Sequence, residues 1–349
     1  INIIIISIDI LNMGIRGLTA LIKEHSPMAI QTSQLYQLNG KVVGIDASGL
    51  IYKSLMVIRQ HGKVLTNGQY PTSHIVGVFN KTCSMLSYGI TPVFIFDGKP
   101  PDEKNELIKE RNEKARIAKE KLASADITDI KTNQSLQKQT IRLRKYHTED
   151  IKRLLDLLGV MWIHAEGEAE GVAAELCRIG LLDYVMSEDM DTLAFGAPKL
   201  IRNCIDKTIK RKTDIISIFS LDKVLEDFGL NYDEFLELCV LSGCDYSDTL
   251  KRVGNKTAYK LIREHRGITK VLENVNANKI PEGFRKRFDK SIELFHLYRG
   301  YNDTRNFKIV KKPINYNGLI QYLVTENKMD ESRITASIKK INSVKCNSP

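Results

Sequence analysis

Three stretches, Lys41-Val42-Val43-Gly44-Ile45-Asp46, Pro92-Val93-Phe94-Ile95-Phe96-Asp97 and Tyr184-Val185-Met186-Ser187-Glu188-Asp189-Met190-Asp191, share one plan: a short apolar run ends in acid. Runs of this kind, rich in Val, Ile and Phe and separated by helical segments, predict strands of a parallel sheet covered on both faces. The expected fold class is therefore α/β, with a parallel-dominated twisted central sheet. In open sheets of that class the functional crevice lies beyond the carboxyl ends of the strands. All three acidic ends fall at that edge, so this fold class brings Asp46, Asp97, Asp189 and Asp191 toward one place.

Outward from these strands, the segment between Asp97 and Glu168 has a different character. Pro100-Pro101 breaks the chain, and Asp102 to Ala125 is rich in Lys, Glu, Arg and Ala and helical in propensity. A polar stretch (Thr128 to Gln139) precedes a second basic helical run with Arg142, Arg144, Lys145, Lys152 and Arg153. Too few large apolar residues occur here for a core. A solvated helical hairpin would have that composition. A basic lid over the crevice also explains why the segment leaves an acid-bearing strand end and returns to an acid-bearing helix. From Phe219 to about Leu297 the chain reads as mostly helical. Within it, the run from Leu250 to Ile262 has a Gly254 turn feeding an amphipathic helix. The N-terminus of that helix, with Lys256 and Lys260, can hold a phosphate without reading bases. Asn306 to Pro349 has little pattern and reads as a loosely attached tail.

The 349 residues allow one large domain or two smaller ones, and 42% hydrophobic with 27% charged residues is the profile of a soluble globular chain rather than a disordered one. Six cysteines (Cys83, Cys177, Cys204, Cys239, Cys244, Cys346) are scattered without zinc-type spacing and read as buried thiols in a reducing compartment. The net charge of +10 attracts polyanions, nucleic acid above all, although solubility alone could account for it. The apolar run Ile3 to Leu11 is too short to span a bilayer and lacks the flanks of a signal peptide. Neither a membrane partner nor secretion is expected. Met13 reads as the biological start, with residues 1–12 an upstream extension.

Seven acids carry the chemistry: Asp46, Asp97, Glu168, Glu170, Asp189, Asp191 and Asp245. Each alone has an ordinary use. Asp46 can cap the helix after it, Asp97-Gly98 can be a turn, and Glu168 and Glu170 can sit at a helix N-terminus. Those uses do not explain acids at several strand ends on one sheet edge. Gathering carboxylates costs Coulomb energy unless cations neutralise them. Oxygen donors without His or Cys select a hard ion, Mg²⁺ or Mn²⁺. Two such ions about 4 Å apart suit phosphodiester hydrolysis, and they would bridge an acidic pocket to an anionic substrate. Asp189 and Asp191, two apart in an extended segment, would project to the same side. Glu168 and Glu170 would diverge on a regular helix, so they are expected at its first turn, or one of them acts through water.

With these residues in hand, the chain from Met13 to about residue 300 closely resembles the flap endonuclease branch of the structure-specific 5′ nuclease superfamily. The resemblance is carried, in family order, by residues 13–18 (Met-Gly-Ile-Arg-Gly-Leu), 42–48 (Val-Val-Gly-Ile-Asp-Ala-Ser), 96–101 (Phe-Asp-Gly-Lys-Pro-Pro), 168–170 (Glu-Ala-Glu), 187–191 (Ser-Glu-Asp-Met-Asp) and 243–246 (Gly-Cys-Asp-Tyr). It implies a PIN-like nuclease domain, a helical arch and a helix-two-turn-helix region at about 240–270. It places the seven acids as ligands of two Mg²⁺ ions, with Mn²⁺ able to substitute. It gives Lys104 and Arg111 the scissile phosphate, with Asp46, Asp97, Glu168 and Asp189 completing the catalytic set. DNA contacts fall to Gly14, Tyr52, Arg59, Lys81, Gly254 and Lys256, and K⁺ to the helix-two-turn-helix. Tyr52 would stack on the base beside the cut; the periodicity of its helix suits a core aromatic equally well.

The resemblance implies a monomer that cuts DNA near the base of a 5′ flap in replication and repair, with an accessory 5′–3′ exonuclease activity. The nucleus is the expected site in a cellular eukaryote, and the cytoplasm or a viral replication site otherwise. The arch-like length of 97–168 favours the flap branch over exonucleases and Holliday-junction resolvases, whose cap is modified or absent. A non-catalytic branched-DNA binder would gain nothing from acidic pocket walls. The expected partition is 13–120 for the first nuclease region, 121–155 for the second half of the arch, 156–300 for the internal region and 301–349 for the tail. Three departures stand out. Arg252 replaces the first Gly of a Gly-x-Gly hairpin, residues 333–341 lack the aromatic pair of a sliding-clamp motif, and residues 1–12 would crowd Gly14.

Overall fold

Each acid-ended run is a strand. A computed structural model describes residues 14–59, 66–68, 70–124, 130–203, 214–300 and 307–345; the extension assigned to residues 1–12 lies outside them. The chain runs through α1 (Leu18–His25), β1 (Ile30–Gln34), β2 (Val42–Asp46), α2 (Ala47–Arg59), α3 (Ser73–Ser87), β3 (Thr91–Phe96) and α4 (Asn105–Ala123). Then come α5 (Ile130–Gln139), α6 (Lys145–Leu158), β4 (Met161–His164), α7 (Ala169–Arg178), β5 (Tyr184–Met186), β6 (Lys199–Asn203) and β7 (Ile215–Ser220). The rest is helical: α8 (Leu221–Phe228), α9 (Tyr232–Ser242), α10 (Asn255–His265), α11 (Ile268–Asn274), α12 (Phe284–His296) and α13 (Glu331–Lys345).

These elements form two compact units, both discontinuous in sequence. The first draws on Ile1–Gln37 and Gly167–Phe307, the second on Leu38–Glu166 and Lys308–Pro349. Neither unit is one continuous stretch of the chain, because strands pair with partners far away in sequence.

In the second unit β2, β3 and β4 are parallel, with Asp46 opposite Ile95 and Phe96 opposite His164. The apolar runs are buried without alternation, as strands covered on both faces require. Helix α6 packs through Ile151, Leu154, Leu155 and Leu158, a stripe at helical spacing, and ends at Gly159 in the left-handed conformation (φ +68). The lid is helical, as expected. Its helix α4 is mostly exposed and carries surface ion pairs such as Arg116–Glu113 (2.6 Å), which contribute little. Ala118 is its buried point of contact.

The tail corrects the sequence reading. Asn315 N–H donates to the Leu157 carbonyl (2.8 Å), and a helical segment including the π-helix Ile320–Glu326 leads into α13, which packs on α3. Leu319, Tyr322, Leu323, Ile334, Ile338 and Ile341 are all buried. Their spacing is split between helix types, so no single period reveals the apolar face. Arg153 clamps the π-helix, bonding both oxygens of Glu326 (2.6 and 2.8 Å) while lying over the Tyr322 ring.

In the first unit the strand order is β1-β7-β6-β5. β5 and β6 are parallel, but β7 is antiparallel to both β6 and β1. Parallel pairing predominates among the strands, as expected, and β7 is the antiparallel exception. Residues 204–214 between β6 and β7 fall short of the dozen or more that a parallel crossover needs. Helices α9 and α10 pack together across residues 243–254, where the helix-two-turn-helix was expected. Arg252 there holds φ +61, a conformation that costs a side-chain-bearing residue about 1–2 kcal/mol and glycine almost nothing.

If the tail is integral to the second unit, Ile334→Ala removes about 2–5 kcal/mol of stability. Thermal unfolding then reports a Tm several degrees lower; an unchanged Tm would mean a tail that contributes nothing.

Candidate functional site

The first unit holds five of the seven acids, and local structure explains how each is placed. Glu168 is the N-cap of α7 in extended conformation (φ −77, ψ 128), with Glu170 in the first turn, so the two escape the divergence of a regular helix. The Glu168 side chain makes no capping bond. Asp189 and Asp191 depart from the expected extended geometry. Asp189 Oδ1 accepts from the Asp191 N–H (2.9 Å), and Asp191 opens a one-turn helix, Asp191–Ala194. The two carboxylates converge through this turn rather than through a pleat. Both Oδ1 atoms lie where a Cβ on Gly14 would stand. Gly14 (φ +71) is buried there, and any side chain would displace the acids.

Asp245 follows α9 and precedes Tyr246. The Tyr246 phenol is pushed well above its usual range, by burial first and then by the negative charges of Glu168, Asp191, Glu170 and Asp245. Four of the seven acids thus act on one side chain. In the same segment Glu188 serves structure: its Oε1 accepts from the Asn203 backbone N–H (3.3 Å) and from the Asn203 side-chain amide. Its Oε2 is 3.8 Å from Arg202 Nε. Arg202 is 1% exposed and donates to Thr19 Oγ1 (2.8 Å). Burial pulls its guanidinium down to about 10, against the opposing charge of Asp189. Arg202 and Tyr298 escaped the sequence reading, since a lone Arg in a strand and an aromatic beyond a helix end carry no local signal, and Tyr246 was read only as the close of the 243–246 motif.

The second unit places Asp46 and Asp97 at the carboxyl ends of the adjacent parallel strands β2 and β3. Asp46 also does the ordinary work foreseen for it, accepting the Gly49 N–H at Oδ1 (3.0 Å). Gly98 runs so close to the Ala165 and Glu166 carbonyls that a Cβ would collide with both. Lys104 ends a 3₁₀ turn, Asp102–Lys104, and stands at the N-cap of α4, with the exposed Arg111 in the helix proper. A spacing of seven would put this pair on one face of a continuous α-helix, but its first member stands in the 3₁₀ turn. The Arg111 carbonyl accepts from Arg142. Tyr52 on α2 and Lys81 on α3 are half-buried, and the side chain of Arg59 lies outside the described residues.

Gly254 is the exposed N-cap of α10. Lys256 pairs with Glu24 (2.7 Å), so a phosphate there has to displace a carboxylate. Lys256 and Lys260 line an open hollow of about 500 Å³ with His25, Tyr259, Arg263 and Glu264.

Among the described residues, no group of three or more His, Cys, Asp or Glu side chains is poised to chelate an ion. The donor chemistry still fits a hard divalent cation, because the converging groups are carboxylate oxygens. The neighbouring Cys244 thiol is pushed up to about 12 by burial.

Two family models match the chain: the XPG N-terminal domain over residues 13–118 and the XPG I-region over residues 159–245. Flap endonuclease 1-A of Sorghum bicolor is 40% identical over 340 residues, covering 95% of this chain and 87% of its own. Flap endonuclease 1 of Zea mays is 39% identical over the same length, covering 95% and 88%. Among solved structures, flap endonuclease-1 from Methanococcus jannaschii matches with a TM-score of 0.67 at 25% identity, over 91% of this chain and 96% of that one. The catalytic core of Rad2 in complex with DNA substrate matches at 0.68 and 22% identity, over 92% and 99%, a likeness of fold.

The acid-bearing α7 also carries Glu175, paired with Arg178 (2.7 Å) and accepting the Gly300 N–H (2.9 Å). Burial alone would raise its pKa, but Arg178 and Gly300 outweigh it and hold the carboxyl below its usual value. A lowered folded pKa stabilises above the unfolded value of about 4.3 and is lost as pH falls through the folded one. Urea unfolding of Glu175→Gln should therefore show a deficit at pH 7 that closes below about pH 4. A deficit constant across that range would refute this role for the carboxylate.

Proposed function

Because the chain belongs to the flap endonuclease family, we propose that its seven acids, Asp46, Asp97, Glu168, Glu170, Asp189, Asp191 and Asp245, are the ligands that serve its hydrolysis of DNA. The activity is that of a structure-specific 5′ flap endonuclease of DNA replication and repair, in a family generally dependent on divalent metal. Two Mg²⁺ ions are the proposed cofactors, replaceable by Mn²⁺. The convergence of the Asp189 and Asp191 carboxylates on the bare backbone of Gly14 carries the proposal. Such a cluster is costly without cations, and its oxygen donors suit hard ions.

When bound, the ions would supply the Lewis acidity that activates water and neutralises charge on the phosphodiester. The chain's own part is to hold the carboxylates and to grip the DNA. Asp189 and Asp191 are kept in place by their turn and by the bare backbone of Gly14. Lys104 and Arg111 would stabilise charge developing on the scissile phosphate. Tyr52 would offer a flat face to the adjacent base, and Arg59 and Lys81 would add backbone contacts. At Gly254 and Lys256, the α10 N-terminus would take a phosphate of the duplex. We place K⁺ at the 243–254 turn and expect weak binding, because the charge of Arg252 opposes it. A monomer, an accessory 5′–3′ exonuclease activity and a nuclear site of action complete the proposal. Recruitment by a sliding clamp is not part of it, since residues 333–341 lack the aromatic pair.

Asp189→Ala should lower flap cleavage in Mg²⁺ by at least about 10³-fold while leaving flap binding in EDTA intact. Cleavage at the wild-type rate would remove Asp189 from the ligand set. Lys104→Ala and Arg111→Ala should each reduce kcat about 10²–10³-fold at saturating flap; a loss confined to KM would make them binding residues only. With flap, nicked duplex and four-way junction in parallel, faster cleavage of the junction would overturn the flap preference.

A further inference from the structure

We propose that Tyr298 is a positioning residue for Glu168 and Glu170; this rests on the reading of those acids as metal ligands. Tyr298 lies just beyond the end of α12, far from α7 in sequence. Its hydroxyl accepts the Glu168 N–H at 2.6 Å, in a buried setting. Its ring covers the backbone on both sides of the acid pair. A Cβ on Gly167 would overlap the Tyr298 hydroxyl, and one on Gly171 would overlap the ring carbons. Ring and bare backbone fit each other at residues 167 and 171, which bracket Glu168 and Glu170.

The physical need is specific. Glu168 is the N-cap of α7, so its N–H precedes the helical ladder and, when buried, requires a partner from elsewhere. A phenol can supply the acceptor and bring a rigid ring with it. Two residues on, Gly300 N–H donates to Glu175 Oε1 (2.9 Å), so residues 298–300 are tied to α7 at a second point. Tyr298 in turn rests edge-on against Phe195 (5.5 Å between centroids). Phe195 packs on Phe295 (4.8 Å), and Phe295 on Tyr246 (5.2 Å), the side chain among the acids. An aromatic chain thus runs from the backbone of one acid pair to the residue beside Asp245. Carboxylates that repel one another need such support from behind to keep their backbone in place, and groups of this kind tune metal affinity.

The test measures Mn²⁺ binding to the DNA-free protein by electron paramagnetic resonance, with kcat and KM for a labelled flap. Tyr298→Phe keeps the ring and removes the acceptor. It should weaken Mn²⁺ binding about 3–10-fold and lower kcat without a matching change in KM. Gly171→Ala, which pushes the same ring from the other side, should reproduce the effect and stands in if Tyr298→Phe fails to fold. Tyr322→Phe removes a hydroxyl bonded to the Asp150 carbonyl in the second unit and serves as the matched control. A merely structural Tyr298 would lower Tm, as the control does, and leave Mn²⁺ affinity unchanged; that result overturns the proposal. Asp189→Ala separates the two levels. If it binds Mn²⁺ like the wild type, the ligand assignment fails; if it loses Mn²⁺ while Tyr298→Phe does not, the role of Tyr298 alone fails.

Discussion

Carboxylates held near one another repel, and much of the local structure around α7, β5 and α9 can be understood as the restraint of that repulsion. A pair of unit charges 4 Å apart costs about 4 kcal/mol at an effective dielectric of 20, so several acids on one side of a fold would spread unless their backbones were fixed. Here they are fixed by different devices. Asp189 is bonded to the amide of Asp191, and Glu168 is held at a helix N-cap. The devices are local.

Glycines complete the restraint where side chains would intrude. Gly14 leaves room for Asp189 and Asp191, and Gly167 and Gly171 leave room for Tyr298. The same economy explains why Glu188, in the middle of the acidic run, faces away. Its carboxylate belongs to Asn203 and the buried Arg202, while Met190 fills the core. One five-residue segment thus alternates between chemistry and packing.

The lid obeys other rules. Helix α4 buries little beyond Ala118 and relies on surface ion pairs of small individual worth. Such an element has low local stability. Its return helix α6 is the opposite: a strongly apolar stripe, locked by Arg153 to Glu326 and by Asn315 to the Leu157 carbonyl.

The α/β class, the three acid-ended strands, the helical segment after Asp97 and the family were legible in the residues alone, because each rests on short-range pattern: apolar runs, breaks at proline, and motifs in a set order. The divergence of a regular helix also pointed Glu168 and Glu170 to a helix start, where they lie. Only the tertiary structure decided the antiparallel return of β7, the docking of the tail through a face split between π- and α-helical spacing, and the turn at Asp189. It alone brought Tyr298 to the amide of Glu168, 130 residues away. Periodicity records what a residue's own element buries, whereas these contacts depend on which distant element comes to lie against it. A glycine at 167 or 171 reads as a turn until the ring that fills its place is known.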